Sequence, residues 1–150
     1  MNIELYTDGG CRGNQTDNNI GAWGAYMTYG EYVNEISGGA TNTTNNIMEL
    51  RGCIEGLKAI HNKNLPVVVY LDSAYVLNGI TSWIKNWKSN GWKTSKKQPV
   101  QNAELWIELD AMVSQFPNIQ FVKVKGHSDN YGNIQADRLC NEMMDKLEVN

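Results

Sequence analysis

The 150-residue chain has no apolar run near the roughly 20 residues that span a bilayer, which excludes a transmembrane helix. Its N-terminus carries neither a basic nor an apolar leader segment, so no secretory signal is read and the expected location is the cytoplasm. Cysteine is scarce. Cys11, Cys53 and Cys140 are odd in number, widely spaced and free of any Cys-x-x-Cys pair, which argues against a disulfide framework or a zinc site. No repeat, low-complexity tract or linker divides the chain, and its length suits a single domain, 1–150, able to bury about two-thirds of its unfolded surface. Acids are missing from one stretch: residues 83–103 contain no Asp or Glu, yet hold Lys85, Lys88, Lys93, Lys96 and Lys97. The net charge of −3 argues against a protein that coats nucleic acid with a general positive field; one basic segment points instead to a local contact with a polyanion.

What is present reads as a mixture of strands and helices. NIELYTDGG begins with a short strand whose buried positions are expected at Ile3, Leu5 and Tyr6, and GAWGAYMTYGEYVNEISGG reads as a hairpin turning near Tyr29-Gly30. The period then changes. Ile47, Leu50, Ile54 and Leu57 mark an amphipathic helix, with Thr44, Asn45 and Asn46 as possible caps. After Pro66, VVVYLD is a continuous apolar run suited to a strand covered on both faces. Helical spacing returns at Ile80, Trp83, Ile84 and Trp87, and again from about Ala103 to Gln115, where Pro117 closes the helix. IQFVKVKGH is a last strand, and a final helix carries Ala136, Leu139, Cys140 and Met143. The order β-β-β-α-β-α-α-β-α predicts an α/β fold, a mixed sheet with helices on its faces.

Four acids stand out. Asp8 and Asp72 each end an apolar strand, and in open α/β sheets ligands gather at the carboxyl ends of strands. Two such carboxylates on neighbouring parallel strands repel unless a cation lies between them. Glu49 and Asp137 are expected in the first turns of their helices. Each acid has an ordinary alternative: a turn at Asp8-Gly9, a helix cap at Asp72, a capping box from Asn46 to Glu49, and a favourable helix dipole at Asp137. Together, on so small a domain, they fit hard, oxygen-seeking Mg²⁺.

TDGGCRGN, TTNNIMEL, LDSAYV with ITSWIKNWKSNGWKT, and VKGHSDNYGNIQAD, in that order over nearly the whole chain, resemble ribonuclease H of type 1 in its bacterial form. The resemblance implies a five-stranded mixed sheet flanked by helices and an endonuclease that hydrolyses the RNA strand of RNA–DNA hybrids. It makes Asp8, Glu49, Asp72 and Asp137 ligands of two Mg²⁺ ions, with Mn²⁺ able to substitute, and His127 a mobile catalytic histidine. In two-metal chemistry the ions sit about 3.5–4 Å apart, one activating the attacking water and the other stabilising the leaving oxygen, which yields 5′-phosphate and 3′-hydroxyl ends. Gly9 and Gly10 would then let the nucleic-acid backbone approach Asp8.

By the same resemblance, Cys11, Asn14, Asn45 and Ser73 line the hybrid near the cut, where RNA is told from DNA by its 2′-hydroxyl. Thr44, Asn86 and Trp83 match positions that hold the DNA strand, although core packing explains Trp83 equally well. Residues 83–101 resemble a basic handle, in which Lys88, Lys93, Lys96 and Lys97, interleaved with Trp87 and Trp92, favour nucleic-acid binding. The implied partner is an RNA–DNA hybrid, met by a monomer away from membranes. Ala74, Ile134 and residues 15–18 depart from the family pattern, but none is a metal ligand, and no additional hybrid-binding module is expected before the first strand. A DNA-directed relative such as a resolvase or integrase core, and a non-catalytic hybrid binder, are the competing readings. The His127 loop and the handle count against the first. Four phosphate-repelling carboxylates count against the second.

Overall fold

The computed structural model describes residues 1–13, 18–125 and 129–149. Five strands form one sheet in the order β3-β2-β1-β4-β5. β1 (Ile3–Arg12), β2 (Ile20–Tyr29) and β3 (Tyr32–Thr41) are antiparallel neighbours. β4 (Val67–Leu71) and β5 (Ile119–Lys123) run parallel to β1. The mixed sheet expected from the element order is therefore observed. The run VVVYL lies between β1 and β5, which explains why it is apolar almost throughout.

Strand alternation corrects one expectation about the core. Ile3, Leu5 and Thr7 point to the buried face, and Tyr6 lies on the opposite face, stacked on Tyr70 with ring centroids 4.5 Å apart. The buried face packs on α1 (Asn45–Lys58) through Leu50, Ile54 and Leu57, and on α4 (Ala103–Val113) through Trp106 and Leu109. The other face takes α5 (Tyr131–Val149) through Ala136, Leu139 and Cys140. Gly24 makes that approach possible: a Cβ there would sit 2.5 Å from the Ala136 carbonyl oxygen. Because Gly24 is the register partner of Asp8, α5 packs closely on the sheet beside the first acid.

The second helical region is not uniform. α2 (Ala74–Asn78) passes through a π-helical turn, Gly79–Trp83, into α3 (Ile84–Ser89). The Trp106 ring fills the space beside Gly79, and its Nε1 donates to the Tyr75 hydroxyl at 3.0 Å. The basic segment that follows rests on aromatic packing: Trp92 on Trp87, and Trp87 on Trp106 at 5.3 Å. Trp87 and Trp92 are half-buried and anchor the segment on the core.

Candidate active site

β1 explains the placement of Asp8. Its parallel pairing with β4 ends at Thr7–Leu71, while its antiparallel pairing with β2 continues to Arg12. Asp8 therefore does not end the strand, as its sequence context suggests; it stands where β1 and β4 part. Asp72 follows the last residue of β4, so both carboxylates enter the same gap. Ser73 caps α2 by accepting from the Val76 amide at 3.2 Å, so the Asp72 side chain does not have to.

Glu49 reaches the gap from α1. The cap of that helix is Thr44, whose Oγ1 accepts from the Ile47 amide at 3.1 Å. With helix residues starting at Asn45, Glu49 falls in the second turn, and the capping box from Asn46 does not form. Gly9 brings the helix in. A Cβ at Gly9 would lie 2.5 Å from the Glu49 nitrogen and from the Met48 carbonyl carbon. The backbone that needs this glycine is thus that of α1, which corrects the expectation of a nucleic acid there. Asp137 likewise lies beyond the first turn of α5, because the helix begins at Tyr131.

Asp8, Glu49 and Asp72 each offer a carboxylate oxygen, and these atoms lie within 4.8 Å of one another. Asp137 completes the cleft on the α5 side and shares a hydrogen bond with Asp8. Burial, then the charges of Asp72 and Asp137, pushes Asp8 up to about 8, although the Gly9 amide donates to its Oδ1 at 2.9 Å. Burial, then Asp8 and Asp72, also holds Glu49 well above the usual carboxylate range. Burial and mutual repulsion thus favour the protonated forms of Asp8 and Glu49. An all-oxygen donor set of this kind fits a hard divalent cation and would suit zinc or copper poorly.

Other expected residues are distributed around this centre. Cys11 and Asn45 line the same cleft, with Gly10, Cys140, Asn141 and Met144. Burial raises the Cys11 thiol, which stays neutral, a weak donor. Thr44 lies with Asn19, Thr43, Asn45 and Asn46 in an adjoining polar cleft. Trp83 is more than a third exposed and has an edge contact with Tyr75 and a tilted contact with Trp87, so it packs and faces solvent at once. Asn86 is exposed on α3. Lys93 and Lys97 line a groove of the basic segment, Lys96 is exposed, and Lys88 is paired with Asp110 at 3.1 Å. Asn14 and His127 lie outside the described residues, as do residues 15–17 of the departing loop. Ile134 is exposed at the cleft beside Asp8 and Asp72, and Ala74 opens α2. Two neighbours of the cluster went unread in the sequence. Asn133 is buried in the cleft, and Lys123 donates from Nζ to the Asp72 main-chain oxygen at 2.6 Å. No helix among the described residues is long and apolar enough to cross a membrane.

Comparison with known proteins identifies the family and the fold. The RNase H family model matches residues 1–145. Ribonuclease H of Clostridium botulinum is 48% identical over 98% of each chain. Among solved structures, LC9-RNase H1, a type 1 RNase H with the type 2 active-site motif, superposes with a TM-score of 0.85 at 28% identity, covering 97% of this chain and 72% of that one. LC11-RNase H1, solved in complex with an RNA/DNA hybrid, gives 0.69 at 25% identity over 97% of this chain and 99% of that one. The carboxylate cluster thus stands in a sheet and sequence shared across that family: the chain belongs to the ribonuclease H family, as a type 1, bacterial-style endoribonuclease.

Proposed function

We propose that the chain hydrolyses the RNA strand of RNA–DNA hybrids, leaving 5′-phosphate and 3′-hydroxyl ends. The whole of 1–150 would act as one catalytic domain with a basic handle at about 83–101. Asp8, Glu49, Asp72 and Asp137 would hold two Mg²⁺ ions, and Mn²⁺ could replace them. The observation that carries the reading is the convergence of the Asp8, Glu49 and Asp72 oxygens within 4.8 Å, at a site that raises the proton affinity of Asp8 and Glu49. When bound, the ions would neutralise the scissile phosphate and the leaving oxygen and make the attacking water more acidic.

The chain's own groups do the rest. Packing of α1 on Gly9 and capping by Thr44 fix Glu49, and the cap at Ser73 leaves the Asp72 carboxylate to the site. Thr44 and Ser73 accept amide hydrogens through their hydroxyl oxygens, so each hydroxyl still has a proton to donate to a backbone or a sugar. In this reading Cys11, Asn14, Asn45 and Ser73 meet the RNA strand, while Thr44, Asn86 and Trp83 hold the DNA strand. Lys88, Lys93, Lys96 and Lys97 draw the duplex in. His127, with a reference pKa of about 6.5, would take a proton near the reacting phosphate and return it to solvent.

Cleavage of matched RNA–DNA, RNA–RNA and DNA–DNA duplexes in Mg²⁺ tests the assignment. Strand-specific loss of RNA from the hybrid alone is expected. Cleavage of DNA duplexes would favour the resolvase-like reading, and tight hybrid binding without cleavage would make the chain a binding module.

A further inference from the structure

Lys123 is the last residue of β5 and the register partner of Leu71, one residue before Asp72. Its Nζ donates to the Asp72 main-chain oxygen at 2.6 Å. A carbonyl is neutral, so this bond fixes the ammonium without cancelling its charge. Among the described residues no carboxylate oxygen forms an ion pair with it within 4.0 Å, so its charge is left to act on the cluster. A cation tied to the main chain of one acid is placed to oppose the repulsion that gathers among the three converging carboxylates.

We infer that Lys123 is a positioning residue that acts electrostatically, as a resident cation that steadies the Asp72 main chain and offsets part of the cluster's negative charge. It thereby makes the metal-free site tolerable and raises the concentration of divalent ion the site requires. The inference rests on the proposed metal role of the carboxylates and adds what sets their affinity. A lysine at this point also competes with a divalent ion for the same field, which a purely structural tether would not do.

The test compares the full chain with Lys123→Met, Lys123→Gln and Lys123→Arg. Gln keeps a donor for the Asp72 carbonyl and loses the charge; Arg keeps both. Mg²⁺ affinity is read by calorimetry, and stability by urea denaturation with chelator. Both neutral variants should bind Mg²⁺ about three- to tenfold more tightly, the range expected when an exposed unit charge stops opposing a nearby divalent ion. Arg should match the parent. Without metal, Lys123→Gln should lower the urea midpoint of the parent, whereas Lys123→Arg should leave it unchanged. Tighter binding by Met alone would make the carbonyl bond the agent and overturn the electrostatic claim. Unchanged or weaker binding in both neutral variants, with normal binding by the parent, would overturn it as well. If the parent itself failed to bind Mg²⁺, the metal reading of the carboxylates would fall first and the inference with it.

Discussion

Replacing Asp8 by Asn should stabilise the protein when no metal is present, even though it removes a residue at the heart of the site. Asp8 has its carboxyl pushed up to about 8 by burial and by Asp72 and Asp137, from an ordinary value of 3.8. A group whose pKa is raised on folding contributes stability below its unfolded value, and that contribution is lost as pH rises towards the folded value. At pH 7 the unfolded chain releases this proton and the folded chain keeps it. Over the three or so pH units between 3.8 and 7, that difference accumulates to about 4 kcal/mol against the folded state. Asn needs no proton uptake on folding but must itself leave water, and Glu49 stays in place, so the expected net gain at pH 7 is about 1–3 kcal/mol. On a domain of this size that corresponds to a rise in Tm of about 3–10 °C. Urea denaturation of both proteins in chelator, from pH 4 to pH 8, measures it. The gain should be near zero at pH 4 and grow towards pH 8. Saturating Mg²⁺ should narrow it, because the parent binds the ion and the variant does so poorly. An Asp8→Asn protein less stable than the parent at pH 7, or a gain that does not change with pH, would refute the reasoning.

Gly9→Ala should cost about 1–3 kcal/mol, because its Cβ would lie 2.5 Å from the α1 backbone, and displacing Glu49 should lower kcat. Gly10→Ala, which meets only the Met144 Cε at 3.9 Å, should leave the urea midpoint nearly unchanged. Replacing Lys93, Lys96 and Lys97 by Ala should raise KM and flatten the salt dependence with kcat kept, as loss of counterion-releasing phosphate contacts would. Lys88→Ala should have a smaller effect on the salt slope, because Asp110 already partners that charge. His127→Ala should slow turnover by about 10²–10⁴-fold, the usual span of a proton-transfer role, and less than Asp8→Asn does. Equal inactivity of the two in a single-turnover assay would contradict a shuttle.

The site was legible in the sequence where local pattern determined it. VVVYLD ends an apolar strand on a charge, and the strand does end there. Helix starts were harder: Thr44, Asn45 and Asn46 are all capping types, and only the packed chain selects Thr44, which moves Glu49 into the second turn. Gly9 announced a close backbone, but which backbone depended on a long-range contact with α1. Tyr6 read as core because it is aromatic, while strand alternation turns it towards α5. Trp87 and Trp92 sit among lysines, and that they also anchor the segment depends on a long-range contact with Trp106. Lys123 left no local sign, because its meaning comes from the β4–β5 register that sets it beside Asp72.

The central claim is that the converging carboxylates cut RNA within a hybrid through divalent ions. Its most direct test is single-turnover cleavage of a strand-labelled RNA–DNA hybrid by the parent and Asp8→Asn, titrated with Mg²⁺, with hybrid binding measured in parallel. The account predicts Mg²⁺-dependent products with 5′-phosphate and 3′-hydroxyl ends from the parent. From Asp8→Asn it predicts no cleavage and little change in binding. Substantial Mg²⁺-dependent cleavage by Asp8→Asn, or cleavage by the parent in excess chelator, would contradict it.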